Sequence, residues 1–306
     1  MAQGSCEGQT ALSLDIGPLS SDVASHNMPM IWILQTAAIA AVIYQSTGVT
    51  LSTRASCHIP AGMVRSTIGN GIPMVVYDSN DIVSNFIRAH HHWEIATTED
   101  FVKPAHSQLP KHGIFLDIGA NLGYYSLLFA SQGYKVVAVE PMTKNREAFN
   151  ASLCLNPELS DLITVLPAAL VAKVDEEEER CIVRSSVHRP NAGNGIMTCG
   201  STADIKPCGQ HEEHCDEPFV LTLDSALHRL HVDPSTISMV KIDVEGFECS
   251  VLHGGSQLFA GHQPKVMQVE TSKPESDACV RDLAKKHEYK RYIAKRNSID
   301  SVLVKQ

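Results

Sequence analysis

The chain has 306 residues, of which 43% are hydrophobic and 19% are charged. These proportions are ordinary for a packed globular protein and exclude disorder along the whole chain. The length accommodates one large domain with additions or two small domains. The formal net charge of −9 provides no overall basic field, so we expect no nucleic-acid partner.

The amino-terminal part of the chain has an unusual charge distribution. The first 53 residues contain no Lys or Arg, and no Asp or Glu lies between Asp22 and Arg54. Within this window Met28–Tyr44 is predominantly apolar, and its length is close to the lower limit for a bilayer-spanning helix, about 17–25 residues. We therefore expect a disordered tail over residues 1–27 and a candidate transmembrane anchor over residues 28–49.

Other interpretations of the apolar stretch Met28–Tyr44 stay open. A cleaved signal peptide fits poorly, because a basic amino-terminal region is missing and the stretch begins too far into the chain. A buried helix and a poorly ordered apolar extension are the alternatives. The anchor predicts a membrane-associated protein, and without it we expect a cytoplasmic one. Arg54 and Arg65 nominally favour a cytosolic catalytic region.

Residues 50–110 predict a lead-in to the core rather than a separate domain. Gly69-Asn-Gly71 predicts a turn, and Met74–Tyr77 predicts a short strand. Asp78 is the expected cap of a helix that follows. Three consecutive histidines, His90–His92, cannot all face one ion from a helix, so we predict no metal site there.

The stretch Gly113–Ser126 organises the rest of the chain. An apolar run, Ile114–Ile118, ends in Gly119 and leads into a helical pattern over Tyr124–Ser131, which predicts a strand, a tight turn and a helix. Such a turn lets the backbone approach a ligand at the carboxyl end of a strand, where open α/β sheets bind their ligands. A second apolar strand ends on Glu140, whose carboxylate can accept hydrogen bonds from two ribose hydroxyls.

The spacing of the glycines discriminates between two classes of nucleoside cofactor. A dinucleotide fingerprint, G-x-G-x-x-G, seats a pyrophosphate on a helix N-terminus. Here Asp117, Gly119 and Gly123 form the pattern D-x-G-x-x-x-G, which lacks the second glycine of that fingerprint. The pattern suits a ligand without phosphates, such as a cationic sulfonium nucleoside. The alternative is an ordinary glycine turn in an unrelated α/β protein.

Strand and helix patterns alternate after Glu140. This alternation predicts an α/β fold with a doubly wound, mostly parallel sheet over residues 111–306. The further strands that we expect are Ile163–Val165, Phe219–Leu223, Ile237–Val244, Lys265–Glu270, Tyr289–Ile293 and Ser301–Val304.

A cysteine-rich insertion interrupts this alternation at residues 175–218. It carries four of the nine cysteines, namely Cys181, Cys199, Cys208 and Cys215. The neighbouring His211 and His214 suggest zinc, but no C-x-x-C pair is present. Disulfides would require a lumenal or extracellular location, so free thiols are the default expectation.

Three motifs together resemble one family. They are Phe-Leu-Asp-Ile-Gly-Ala-Asn-Leu-Gly-Tyr-Tyr from Phe115, Val-Val-Ala-Val-Glu-Pro from Val136, and Val-Lys-Ile-Asp-Val-Glu-Gly-Phe-Glu from Val240. The combination is similar to the FkbM family of S-adenosylmethionine-dependent methyltransferases, over roughly Asp78 to Glu270. The resemblance also includes Trp93-Glu94 and Thr222-Leu-Asp224. The cysteine-rich insertion and the apolar amino-terminal stretch depart from the family pattern.

The resemblance implies a class I methyltransferase fold, with a Rossmann-like doubly wound sheet of seven strands whose last strand is antiparallel. It also implies S-adenosylmethionine as the cofactor and O-methylation of a hydroxyl on a sugar, lipid or secondary metabolite. The acceptor is then a small molecule or a glycan. The residues that we expect to contact the cofactor are Asp117, Gly119, Asn121, Gly123, Tyr124, Glu140, Ala168 and Asp243.

The reaction itself is expected at Lys241–Glu248. Asp243 and Glu245 are predicted to share one face of a strand end, with Val244 on the other face. One carboxylate could be the base, and the other could orient the acceptor or a divalent ion alongside Glu270. The alternative is a buried charge network that only fixes the end of the strand.

Two functions remain compatible with these patterns. The first is an O-methyltransferase. The second is a non-catalytic, membrane-tethered binding protein that retains the methyltransferase fold. A dehydrogenase ranks third, because the phosphate-binding loop is absent.

Overall fold

The computed structural model describes residues 56–69, 71–174, 179–186, 191–210, 212, 215–293 and 300–306, with only the backbone of Glu179 and Ser186. The predicted tail over residues 1–27 and the candidate anchor over 28–49 lie outside these residues, as do His211 and His214. Within the described ranges, no helix combines the length and the apolar character that crossing a membrane requires.

The described strands and helices have the following bounds. The strands are β1 (Met63–Ile68), β2 (Ile72–Tyr77), β3 (Ile114–Ile118), β4 (Lys135–Val139), β5 (Ile163–Leu166), β6 (Ala168–Leu170), β7 (Glu179–Ser186), β8 (Asn191–Ser201), β9 (Cys215–Asp216), β10 (Phe219–Leu221), β11 (Ile237–Ile242), β12 (Val266–Glu270), β13 (Tyr289–Ile293) and β14 (Asp300–Lys305). The α-helices are α1 (Ile82–His90), α2 (Tyr124–Ala130), α3 (Thr143–Leu155), α4 (Pro157–Ser160), α5 (Leu223–Arg229), α6 (Glu248–His253) and α7 (Pro274–Lys286).

Seven strands form the central sheet, in the order β13-β14-β12-β11-β3-β4-β5. The pairs from β12 through β5 are parallel, whereas the last strand of the chain, β14, is antiparallel to both of its neighbours. The order reverses between β3 and β11, which is the switch point where open sheets bind ligands. The predicted Rossmann-like, doubly wound sheet with an antiparallel last strand is confirmed.

Apolar side chains cover both faces of the sheet. Successive residues of a strand point to opposite faces, and Phe115 and Leu116 accordingly belong to two different buried clusters. On one side Phe115 stacks on Phe129 of α2, with ring centroids 3.9 Å apart. Burial on both faces explains the nearly continuous apolar runs that predicted these strands.

The lead-in packs directly on the core. The β1–β2 hairpin contacts α3, where the Val75 backbone N–H donates to the Ser152 hydroxyl at 2.8 Å. The helix cap predicted at Asp78 is wrong by three residues. The cap is Asp81, whose carboxylate accepts from the Ser84 backbone N–H at 2.7 Å, so α1 begins only at Ile82.

The cysteine-rich segment forms a small antiparallel sheet of β7, β8 and β9. Val183 and Met197 from this sheet are buried with Met142 and Ala169 of the core. The Cys181–Cys199 disulfide joins β7 to β8 beside this cluster. The insertion therefore packs on the main domain through an apolar contact.

All eight cysteines in the described part of the chain are paired. The disulfides are Cys57–Cys154, Cys181–Cys199, Cys208–Cys215 and Cys249–Cys279. The expectation of free thiols is therefore wrong. Disulfides persist in oxidising compartments and are rare in the cytosol, so the pairing favours the lumenal or extracellular alternative.

The Cys57–Cys154 bond closes a loop with a sequence separation of 97, whereas Cys208–Cys215 closes one of 7. Chain-entropy estimates give about 4.7 kcal/mol for a loop of about 100 residues and about 2.4 kcal/mol for one of about 7. Replacing Cys57 and Cys154 together by Ser should therefore reduce the free energy of unfolding about twice as much as replacing Cys208 and Cys215. Urea unfolding of both double variants measures the difference.

Peptide mapping without reduction is the control, because it reports the pairing in the unmodified chain. Free thiols at Cys57 and Cys154 in that map, or equal losses of stability in the two double variants, would contradict the assignment.

Candidate active site

One cavity opens at the carboxyl ends of β3, β4, β11 and β12. Its volume is about 1260 Å³ when its open mouth is included. The cavity wall includes the turn after β3, the end of β4 and the loop after β11. This is the location that the switch point of the sheet predicts for a ligand.

The turn after β3 depends on two glycines with left-handed backbones, Gly119 (φ +77°) and Gly123 (φ +86°). A Cβ atom on Gly119 would lie 1.8 Å from the backbone oxygen of Asp243, and one on Gly123 would lie 2.4 Å from the ring of Phe149. Gly119 thus lets the loops after β3 and β11 touch, while Gly123 lets α2 begin against α3.

The carboxylate of Glu140 joins the two loops that follow β3 and β4. It accepts hydrogen bonds from the backbone N–H groups of Asn121 at 2.8 Å and Met142 at 2.9 Å, and from the Asn145 amide at 3.3 Å. Burial raises the pKa of Glu140 to about 7, although these hydrogen bonds oppose the rise. The residue lines the cavity, so its oxygens can also accept hydrogen bonds from a ligand.

Most of the predicted cofactor residues line this cavity, namely Gly119, Asn121, Tyr124, Glu140, Ala168 and Asp243. Two of the predicted residues do not. Asp117 is fully buried and accepts a hydrogen bond from the Ser126 hydroxyl at 2.6 Å, which ties β3 to α2. Gly123 acts through its packing against Phe149. The expectation that Asp117 contacts the ligand therefore has no support in its position.

The predicted catalytic pair, Asp243 and Glu245, lines the cavity, but for a different reason than strand alternation. β11 ends at Ile242, and Glu245 has a left-handed backbone with φ +55°. The two side chains therefore extend from a loop instead of one strand face. The ammonium of Lys241 lies 3.0 Å from Asp243 Oδ2.

Glu248, at the start of α6, holds this loop in place. Its Oε1 accepts hydrogen bonds from the backbone N–H groups of Val244 at 3.2 Å and Gly246 at 3.0 Å. Its Oε2 accepts one from the Ser276 hydroxyl at 2.5 Å. The last glutamate of the motif Val-Glu-Gly-Phe-Glu thus holds the loop of the same motif in place. The sequence indicates this role only by placing an acid in the first turn of a helix.

Three carboxylates converge in the cavity. One oxygen from each of Asp243, Glu245 and Glu270 lies within 4.8 Å of the others. Burial, with added repulsion from Asp243 and Glu245, raises the pKa of Glu270 to about 8. Burial and the charge of Asp243 also raise the pKa of Glu245, while a hydrogen bond from the Asn194 side chain opposes that rise.

Glu94 is a fourth carboxylate at the cavity, and no role was predicted for it. The Tyr125 hydroxyl donates a hydrogen bond to its Oε2 at 2.8 Å. Burial raises the pKa of Glu94 to about 7, Lys241 opposes the rise, and Asp300 and Asp243 add to it. Much of the residue remains exposed, so water in the cavity reduces the shift. In the sequence, only the Trp93-Glu94 pair of the family resemblance could have indicated that Glu94 belongs to the site.

The cysteine-rich insertion forms part of the cavity wall. The Gly193 carbonyl, on β8, accepts hydrogen bonds from the side-chain amides of Asn145 at 2.9 Å and Asn121 at 3.3 Å. The Gly193 backbone N–H donates to Asp81 Oδ1 at 2.9 Å. β8 is therefore fixed to the glycine turn, to α3 and to the cap of α1. Sequence reasoning treated the insertion as a departure from the family and missed this contribution.

Comparison with known proteins assigns the domain. The sequence profile described as the methyltransferase FkbM domain matches residues 117–295, more than half of the chain. No curated protein sequence matches the chain.

Solved methyltransferase structures resemble the fold at low sequence identity. The precorrin-6y C5,15-methyltransferase of Geobacter metallireducens GS-15 is 12% identical, with 70% of this chain and 95% of that chain covered and a TM-score of 0.36. A human methyltransferase 10 domain containing protein is 15% identical, with 65% and 72% covered and a TM-score of 0.34. The N-terminal domain of human METTL16 in complex with SAH is 15% identical, with 67% and 65% covered and a TM-score of 0.32. The match to the FkbM profile, together with the seven-stranded sheet, decides the assignment: the chain belongs to the FkbM family of methyltransferases.

Proposed function

We propose that this enzyme transfers a methyl group from S-adenosylmethionine to a hydroxyl oxygen of a sugar, lipid or secondary metabolite. The proposal rests on one cavity with two chemically different ends. The glycine turn and the buried Glu140 carboxylate lie on one side, at the ends of β3 and β4. Asp243, Glu245 and Glu270 converge on the side formed by β11 and β12.

The first side fits the nucleoside part of the cofactor. Glu140 is buried and already orders the turn at Asn121, so its oxygens are preorganised acceptors for the two ribose hydroxyls. Ala168 and Met142 line the cavity with small and apolar surfaces suited to adenine. The Gly119–Asn121 turn would then contact the methionine part of the cofactor. S-adenosylmethionine supplies the methyl group on a positively charged sulfonium.

The second side fits the acceptor. As the new carbon–oxygen bond forms, the carbon–sulfur bond breaks with its electron pair left on sulfur, and the acceptor hydroxyl loses its proton. Glu94 lines the same cavity and burial raises its pKa, so it is suited to accept that proton. Asp243 and Glu245 would align the acceptor hydroxyl, and alignment can lower the barrier by up to about 7–11 kcal/mol.

We also propose that the domain acts in an oxidising compartment. The four disulfides support this placement, because they join the lead-in, the insertion and the α6–α7 region, and are not confined to one segment. The placement opposes the cytosolic orientation that Arg54 and Arg65 nominally favour. The anchor over Met28–Tyr44 stays a prediction.

Replacing Glu140 by Gln should weaken cofactor binding about 10- to 100-fold. The change replaces a charged acceptor by an amide, and hydrogen bonds to a charged group contribute about 1.5–3 kcal/mol. Isothermal titration calorimetry with S-adenosylmethionine and S-adenosylhomocysteine measures the loss.

Glu147→Gln is the matched control, because Glu147 is a partly exposed residue of α3 that is paired with Lys144 and does not line the cavity. A Glu140→Gln protein that melts like the unmodified protein and binds the cofactor equally well would show that Glu140 does not contact the ribose.

Cofactor affinity should depend on pH through Glu140. Because burial raises its pKa to about 7, the carboxylate is ionised above that pH and protonated below it. Protonation removes an acceptor for a ribose hydroxyl, so cofactor affinity should fall as the pH drops through about 7. Below that pH the loss of affinity should approach tenfold per pH unit. Titrations between about pH 5.5 and 8.5 should show this slope in the unmodified protein and lose it in Glu140→Gln. Equal slopes in the two proteins would assign the dependence to another group.

Methyl transfer should go to oxygen and should require the acidic side of the cavity. Labelled S-adenosylmethionine is incubated with a panel of glycans, lipids and hydroxylated small molecules, and nuclear magnetic resonance identifies the methylated atom. Replacing Glu94 by Gln should lower kcat about 10²- to 10⁴-fold, the usual contribution of a general base. Asp243→Asn and Glu245→Gln should each lower turnover about a hundredfold or more, because alignment is lost.

Glu158→Gln, at an exposed position of α4, is the control for these variants. Cofactor affinity is measured in every protein, because the proposed roles leave it largely unchanged. A methylated nitrogen or carbon would overturn O-methylation. Unchanged turnover in all three variants would overturn the catalytic assignment.

A further inference from the structure

The acidic side of the cavity contains more negative charge than its protein partners neutralise. Asp243 is paired with Lys241 at 3.0 Å, and Glu245 receives a hydrogen bond from Asn194. Glu270 lies against both of these carboxylates, and one oxygen of each of the three is within 4.8 Å of the others. Three acids at this separation repel one another strongly unless one of them is protonated or a cation lies between them.

Glu270 has an oxygen without a partner. The residue is only 5% exposed, and it receives a hydrogen bond from the Ser272 side chain. Its Oε2 has no hydrogen-bond partner within the described part of the chain. A buried polar atom without a partner costs about 1–3 kcal/mol, and more when the group is charged. Glu270 also lines the cavity, so its carboxylate lies beside anything that is bound there.

We propose that Asp243, Glu245 and Glu270 bind a hard divalent cation, such as Mg²⁺ or Mn²⁺. Carboxylate oxygens are the ligands that these ions prefer. The ion would give the orphaned oxygen of Glu270 a partner and would neutralise the repulsion among the three carboxylates. Glu248 supports the arrangement, because its hydrogen bonds to Val244 and Gly246 hold the loop that carries two of the ligands.

The separation of the oxygens suits one ion. Oxygens bound to a single octahedral ion at about 2.1 Å lie about 3 to 4.2 Å apart. The three carboxylates are within 4.8 Å of one another, and two of them, Asp243 and Glu245, are only partly buried. Rotation of these two partly buried side chains would bring their oxygens toward an ion at the more buried Glu270.

The cation would narrow the class of acceptor, an inference that rests on the proposed methyl transfer. Three protein oxygens leave three positions open on an octahedral ion. An acceptor with two adjacent oxygens, such as the vicinal diol of a sugar, can occupy two of them. A bound hydroxyl loses its proton more readily, because the ion stabilises the alkoxide. Glu94 would then receive the proton.

Binding of Mn²⁺ to the full chain tests the site without the methyl-transfer reaction. Calorimetry and electron paramagnetic resonance of Mn²⁺, in the absence of cofactor, should show one ion per chain. Glu270→Gln should weaken binding at least about tenfold. Glu245→Gln provides a second variant, at a partly exposed position, in case Glu270→Gln does not fold. Glu158→Gln should bind Mn²⁺ like the unmodified protein.

The outcomes separate the metal site from the proposed function. If the unmodified protein binds no Mn²⁺ at millimolar concentration, or if the folded ligand variants bind it as well as Glu158→Gln, the metal site is wrong. Calorimetry with S-adenosylhomocysteine is run on the same samples. Loss of Mn²⁺ binding in the ligand variants, with cofactor binding retained, supports the metal site. Mn²⁺ binding without any cofactor binding contradicts the proposed function and leaves the metal site supported.

Among the panel acceptors, Mn²⁺ should increase the turnover of vicinal diols more than that of isolated hydroxyls. An equal effect on both would overturn the chelation step.

Discussion

The site depends on the close approach of two loops at the switch point of the sheet. The backbone oxygen of Asp243 occupies the space in which any side chain at position 119 would begin, 1.8 Å from the ideal Cβ position. Only glycine allows this contact, and it also tolerates the left-handed backbone there. The contact fixes the loop after β11 against the turn after β3. The carboxylates of the former and the hydrogen-bonding turn of the latter therefore face one cavity.

Buried acids perform two different tasks around this contact. Glu248 accepts hydrogen bonds from two loop N–H groups and a hydroxyl, and one oxygen of Asp117 accepts from the Ser126 hydroxyl, so both residues stabilise the ends of strands. Glu140 is already hydrogen-bonded at its loop but still borders the cavity. Glu270 is buried with an oxygen that no described group satisfies. Burial is costly for every one of these carboxylates. Position separates the two tasks, because Glu140 and Glu270 line the cavity and Glu248 and Asp117 do not.

The sequence predicted the sheet well, because apolar periodicity reports burial directly. The bounds of β3, β12 and β13 differ little from the predicted strands, and Glu140 lies where its strand pattern placed it. Backbone conformation is harder to predict from the sequence. Nothing in the apolar pattern indicated that β11 ends at Ile242 or that the backbone of Glu245 is left-handed.

Contacts between segments that are distant in sequence could not be predicted either. The hydrogen bonds of Gly193 and the pairing of Cys57 with Cys154 join residues far apart in sequence, and the spacing of cysteines does not determine connectivity.

The electrostatics of the cavity give a second reason, independent of the glycine spacing, why a phosphate-bearing cofactor fits poorly. Among the described residues that line the cavity, Lys241 is the only lysine or arginine, and it is committed to Asp243. Burial lowers the pKa of Lys241, but Asp243, Asp117 and Glu94 outweigh that effect and hold the pKa above its usual range. The lysine therefore stays charged and neutralises acids, so it has little attraction left for an anion. The remaining carboxylates create a negative potential that repels phosphates and attracts cations. A sulfonium nucleoside and a divalent ion are both cations, and each would reduce the repulsion that the folded protein stores among these acids.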